Sequence, residues 1–291
     1  MEEKPDLQEG CEEEVKAKYI NPFTDFGFKK LFGEEGSKYL LIDFLNSLLP
    51  LKNEIVDLTF SDKEKIGDIP VRRAAIYDIF CMDKTGKHFI VEMQNAKQMY
   101  FKDRAVFYST FPIREQAEKG EWNFQLQFVY CISLMGFEFN KEEHEYLHEV
   151  KLKDQHNEVF YEKLSYIFVE LPKFKKTESE LENKFEKWLY FLKNLEDFKN
   201  IPEILNEDIF KKAFVKAEIA NYNEEQLHAY EESLKDYRDY NNTLNTAVLE
   251  TKFDIVKNAL EKEMDEDLIQ ELTGVKKDQI KEIKNNFEGI L

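Results

Sequence analysis

The stretch that most constrains this chain is a pair of apolar, β-branched and aromatic runs, AAIYDIFCM (74–82) and KHFIVEMQ (87–94), joined through Asp83-Lys84-Thr85-Gly86-Lys87. A three-residue loop with glycine last is a standard hairpin turn with a bulge, so residue 83 faces residue 87 and the register of the whole pair is set by it. Asp78 then stands opposite Glu92. Directly opposed residues of antiparallel strands point to one face, with Cβ atoms roughly 4.5–5.5 Å apart. Gln94, two residues beyond Glu92, shares that face, while Val91 and Met93 point the other way. Ile79, Phe80, Cys81, Met82, Phe89 and Ile90 make both faces largely apolar, and two like charges in such surroundings repel and are poorly solvated.

A divalent cation compensates such a pair directly, and oxygen-only ligands suit Mg²⁺ or Mn²⁺ better than zinc. A metal so held polarises a phosphoryl oxygen and acidifies water, the two requirements for hydrolysing a phosphodiester. On spacing alone the alternative stays open that Asp78 and Glu92 sit at a wet sheet edge.

Around the hairpin, apolar positions from Tyr39 to Leu49 predict a buried helix ending near Pro50. IVDLTF (55–60), residues 124–137 and LSYIFVEL (164–171) predict further strands. Residues 101–120 are helical in pattern, with Pro112 expected to kink or divide the helix and Gly120 a candidate stop. The order β-β-β-α-β-β after the first helix implies a mixed α/β sheet flanked by helices. From Thr177 onward the pattern is helical almost to the end.

The 291 residues suffice for a well-buried core, with 25 Phe and 14 Tyr to fill it. Cys11, Cys81 and Cys131 are too few and too widely spaced for a disulfide framework or a CxxC metal site. Neither a leader nor a membrane span is visible, so a reduced, cytoplasmic setting is expected. The net charge of -18 looks hostile to nucleic acid. Its distribution is uneven: residues 19–140 hold 17 acids and 15 bases, whereas residues 141–291 hold 35 and 23. A groove in the first half can therefore be locally positive, with Lys29, Lys30, Arg72, Arg73, Lys97, Lys102 and Arg104 as candidates.

The motifs YDIF, GKHFIVEMQ and the earlier TDFGFKKLFG, together with DRAVFY (103–108), EKGEW (118–122) and VELPKF (169–174), resemble the Rpn family of recombination-promoting nucleases, also labelled transposases of the PD-(D/E)XK superfamily. The resemblance covers roughly residues 19 to 176. It implies an α/β, restriction-endonuclease-like mixed central sheet flanked by helices, with an α-helical C-terminal extension, and Mg²⁺-dependent hydrolysis of DNA. Asp78 corresponds to the superfamily's strand aspartate and Glu92 to the acid of its (D/E)XK element, both as metal ligands. Gln94 stands where lysine is usual, although ExQ is normal for this family; a neutral amide orients water but offers no full charge. The superfamily's early helix usually adds a carboxylate, for which Asp25 is chosen ahead of Glu34, Glu35 and Asp43. Lys29, with Arg104 and Tyr108 four apart on one helix face, is expected to meet the substrate phosphate, a helix-surface salt bridge being the alternative for Arg104.

Two further motifs carry competing readings. His144-Glu145-Tyr146-Leu147-His148 matches HExxH, but the residues after His148 read as loop and strand rather than a ligand-bearing helix. Near the C-terminus, Ile269, Leu272, Val275, Ile280 and Ile283 are spaced as in a helix-turn-helix, equally as in a hairpin packing on the body or on another subunit. The expected organisation is an acidic tail (1–18), a nuclease-like domain (19–176) and a helical region (177–291) with a helix-turn-helix at 264–286. DNA is the expected partner, with no membrane, and self-association through the helical region. The rival function is a non-catalytic DNA-binding or protein-interaction module that keeps the nuclease fold.

Overall fold

The computed structural model describes residues 17–61, 64–65, 75–117 and 122–288. Cys11, Arg72, Arg73, Gly120 and most of EKGEW, all singled out in the sequence, lie outside the described residues. The chain divides into two compact units between Tyr230 and Glu231.

The first unit is built on a six-stranded mixed sheet. Its strands are β1 (Leu58–Phe60), β4 (Ile79–Asp83), β5 (His88–Gln94), β6 (Val129–Met135), β7 (Leu147–Lys153) and β8 (Val159–Glu170), in the order β1-β4-β5-β6-β8-β7. A separate pair joins β2 (Glu64–Lys65) to β3 (Ala75–Ile76). The hairpins β1/β4, β4/β5 and β7/β8 are antiparallel, while β5, β6 and β8 run parallel.

The β4–β5 register agrees with the turn-based expectation: Ile79 faces Val91, Phe80 faces Ile90 and Met82 faces His88. Gly86 adopts φ +85°, Lys87 N–H donates to Asp83 Oδ1 at 3.0 Å, and the Thr85 hydroxyl donates to the same oxygen at 2.7 Å. Asp83 thus spends its side chain locking the turn. The expected single strand 74–82 is instead interrupted at Tyr77 and Asp78. There the Asp78 carboxylate takes over from the backbone ladder, its Oδ2 accepting from Met93 N–H at 2.8 Å.

Helix α3 (Phe101–Glu115) covers the face of the sheet that carries Phe80, Ile90, Cys131, Tyr166 and Phe168, through Phe101 and Phe111. Pro112 does not divide it. The opposite face, with Phe89, Val91, Ile132, Leu134, Ile167 and Val169, is also buried. A second apolar centre lies among helices α1 (Asp25–Phe32), α2 (Lys38–Leu48), α4 (Lys184–Asn194) and α5 (Asp208–Ala217), where Trp188 packs on Phe32, Phe44 and Phe210. Helices α4 and α5, which come after residue 176, therefore belong to the same compact body as the sheet.

The second unit falls within and after α6 (Glu224–Glu261), with α7 (Glu266–Thr273) and α8 (Lys277–Glu288). Gly274, at φ +68°, ends α7, and Ile269 and Ile280 pack with Val256 and Ala259. On α8, Lys277 pairs with Asp267 and Lys284 with Glu266. Among the described residues no helix is long and apolar enough to cross a membrane.

Candidate active site

Three pieces of backbone meet at one end of β5. The first is the strand itself, which presents Glu92 and Gln94 on the α3 face, Glu92 in register with Ser133 of β6. The second is the break before β4, which holds Asp78. The third is the N-terminus of α1, and its placement is dictated by the run NPFTDFGF. Thr24 caps α1 by accepting from Gly27 N–H at 2.9 Å, and Asn21 Oδ1 accepts from Phe23 N–H at 2.8 Å. A Cβ at Gly27 would lie 2.1 Å from the Asn21 carbonyl oxygen, so only glycine allows this tight fold. Asn95, immediately after Gln94, then donates through Nδ2 to the Phe23 carbonyl at 2.7 Å. The start of α1, bearing Asp25, is thereby tied to the end of the carboxylate strand.

Glu92 is buried, 6% exposed, and its Oε1 has no hydrogen-bond partner. Its Oε2 accepts from Gln94 Nε2 at 3.3 Å and lies 3.9 Å from Arg104 Nη2. Burial, and then the adjacent Asp78 charge, push the Glu92 carboxyl up to about 8; Arg104 and Gln94 act against this. Asp78 is also raised, chiefly by burial, with the Met93 N–H bond, Lys29 and Arg104 opposing and Asp25 adding to the effect. The two carboxylates therefore feel one another, and the groups nearest them electrostatically include those on α1 and α3.

The remaining candidates separate into two sets. Asp25 and Lys29 face each other at 2.5 Å along α1, within electrostatic reach of Asp78. The other early carboxylates are spent elsewhere: Glu34 on Lys30 and Lys216, Glu35 on Lys38, Asp43 on Lys184 and the Trp188 indole N–H. Arg104 donates to Gln98 Oε1 at 2.8 Å and lies over the Tyr108 ring, 5.7 Å from its centroid. The carboxylate nearest Arg104 is Glu92 on β5, at 3.9 Å, and not a residue on the surface of α3. Lys97 and Lys102 turn away, Lys97 onto the Glu138 and Phe139 carbonyls and Lys102 over the Phe139 ring. Lys30 is buried against Glu34. Of the described basic candidates, Lys29 and Arg104 are the two that influence the carboxylate pair.

Asn95 escaped the sequence reading because it makes its contact through an isolated side chain after the strand, with no periodicity to mark it. Its position directly after ExQ was the available signal. The HExxH motif lies on a loop and the start of β7, not on a helix, and His148 Nε2 sits 2.6 Å from the buried Glu170 Oε1.

An oxygen-donor pair, one buried oxygen of which lacks any partner, fits a hard divalent cation. Asp25 does not complete a triad, being turned to Lys29, and among the described residues no group of three or more His, Cys, Asp or Glu side chains converges to hold a metal.

A mixed sheet whose central hairpin carries a glutamate with a polar residue two positions on, and an aspartate in the break just before that hairpin, is the arrangement of a PD-(D/E)XK nuclease core. The family model described as PD-(D/E)XK nuclease family transposase matches residues 22–247, and the chain belongs to that family. Searches of the curated proteins and of the solved structures return no match.

Proposed function

We propose that the chain is a metal-dependent DNA endonuclease that hydrolyses phosphodiester bonds, acting in DNA recombination or transposition in the cytoplasm. The observation that carries this reading is the buried Glu92 with its unpartnered Oε1 beside Asp78. Leaving such an oxygen unsatisfied costs on the order of 1–3 kcal/mol or more, and a ligand that removes that cost is the simplest reason to keep it.

Asp78 and Glu92 would hold the cation, Mg²⁺ or Mn²⁺ by the hardness of their donors. When bound, such a cation supplies Lewis-acid activation of a phosphoryl oxygen and acidifies water. Gln94, already bonded to Glu92, can accept a hydrogen bond from the attacking water through its amide oxygen and so aim it. Arg104 offers an Nη2 that lacks a hydrogen-bond partner for the phosphate, and Tyr108 supports its guanidinium. Lys29, released from Asp25, adds positive charge on the α1 side, and Asp25 is then free to face the cation or its water. Proton uptake by the leaving oxygen falls to solvent or to Lys29, since Gln94 has no acid to give.

Self-association through the helical C-terminal region is a second element of the proposal, supported by Leu244, Val248 and Leu249 of α6, which face solvent. Incubating the purified chain with supercoiled plasmid in Mg²⁺, Mn²⁺ or EDTA tests the catalytic reading: metal-dependent conversion to the nicked form is expected, and conversion that is unaffected by EDTA would refute it.

A further inference from the structure

The turn before α3 and the first two turns of that helix form an open groove of about 480 Å³, lined by Gln98, Met99, Tyr100, Arg104, Phe107 and Tyr108 among others. Its rim is made of large apolar side chains that face solvent: Met99 is 87% exposed, Tyr100 70% and Phe107 44%. Single exposed apolar residues are ordinary, but a contiguous cluster marks a binding surface. Arg104 connects the lining of the groove to the site. That side chain bonds to Gln98, lies beside the Tyr108 ring, and brings an Nη2 with no hydrogen-bond partner to 3.9 Å from Glu92 Oε2.

We propose that this groove takes a nucleobase of an unpaired DNA strand, so that the substrate class is single-stranded or locally opened DNA rather than intact duplex; this rests on the nuclease reading above. Arg104 and Phe107, three apart, share one face of α3, and Tyr100, the residue that caps the helix, lines the same groove, so a base stacked against either ring lies next to the guanidinium that meets the phosphate. A base inside a duplex has both faces covered by its neighbours, and stacking on protein rings requires that it be unstacked first.

Charge points the same way. Duplex binding draws most of its strength from Lys and Arg neutralising phosphates, yet Lys97 and Lys102, next to the groove in sequence, are turned onto the 138–139 segment. Stacking adds affinity without further cations. Gln98 and Asp103 at the rim supply polar atoms for a base edge, with no pattern selective for one base.

The test is fluorescence anisotropy with the full chain in EDTA, comparing one labelled single strand, its duplex, and the same strand with abasic sites replacing its bases. Tighter binding of the single strand than of either control is expected. Tyr100→Ala and Phe107→Ala should each weaken it by roughly 5- to 100-fold with unchanged circular dichroism, and Phe107→Trp should restore it. Equal or tighter duplex binding, an abasic strand bound as well as the intact one, or variants that bind like wild type would each overturn the inference, as would no binding of any oligonucleotide. The plasmid assay is independent of these outcomes: metal-dependent nicking alongside a failed stacking test would discard the groove and leave the nuclease reading standing.

Discussion

The Asn95 side-chain amide donates to the Phe23 carbonyl oxygen at 2.7 Å, linking the residue after the carboxylate strand to the loop that launches α1. Through that bond the positions of Asp25 and Lys29 relative to Asp78 depend on a residue with no part in the chemistry. Asn95→Ala is expected to lower stability by about 0.5–1.5 kcal/mol, the usual worth of one such bond. It should lower cleavage by on the order of ten- to a hundredfold, because small misplacements of catalytic groups are costly. Thermal denaturation beside a cleavage time course checks both; a stability loss with full activity would show that α1 does not serve the site.

Glu92 supplies a pH-dependent signature that needs no substrate. Its carboxyl, ordinarily near 4.5, is pushed up to about 8 by burial and by Asp78. The metal-free folded protein therefore keeps a proton that the unfolded chain has already lost, and this group's contribution to stability falls as pH rises from 4.5 to about 8. Glu92→Gln removes the titration. The variant should be more stable than wild type at pH 8, by on the order of a few kcal/mol, with the gap closing towards pH 4.5. Chemical denaturation in EDTA across that range measures the gap, and a gap independent of pH would contradict the burial of a titrating Glu92. Added Mg²⁺ or Mn²⁺ should narrow the gap by stabilising the wild type.

Gln94 holds Glu92 and is proposed to aim the attacking water. Gln94→Ala should lower the turnover rate by roughly ten- to a hundredfold, at the weak end of the range for a positioned polar group. The Michaelis constant should change little, since no substrate contact is assigned to it. Steady-state kinetics on a labelled oligonucleotide separates the two, and a change confined to the Michaelis constant would move Gln94 from chemistry to binding.

The parts of this molecule that were legible in its sequence are those encoded locally. The Gly86 turn set the β4–β5 register from Ile79 opposite Val91 to Met82 opposite His88, because turn geometry and strand periodicity are properties of adjacent residues. The break at Tyr77 and Asp78 was not legible: nothing punctuates the apolar run 74–82, and the interruption depends on a bond from Met93 on the next strand to Asp78. Strand β7 was hidden for a related reason. Leu147, Val150 and Leu152 are each about half exposed, and the pairing shifts register after Lys151, so no clean alternation survives. The tips of Lys97 and Lys102 were beyond reach because their partners lie on a loop far along the chain. The Asp25–Lys29 pair was not foreseen either, the two residues having been given separate roles, although a contact four residues apart is one that a helix brings together.

The central claim, that Asp78 and Glu92 form a metal-dependent hydrolytic site, is tested most directly by plasmid nicking with wild-type chain, Asp78→Ala and Glu92→Ala, each checked for folding by circular dichroism. The account predicts nicking by the wild type in Mg²⁺ or Mn²⁺, none in EDTA, and a loss of about a hundredfold or more in both variants. Nicking that survives unchanged in the two variants, or no nicking by the wild type with any divalent metal, would contradict it and leave a binding module on a nuclease fold.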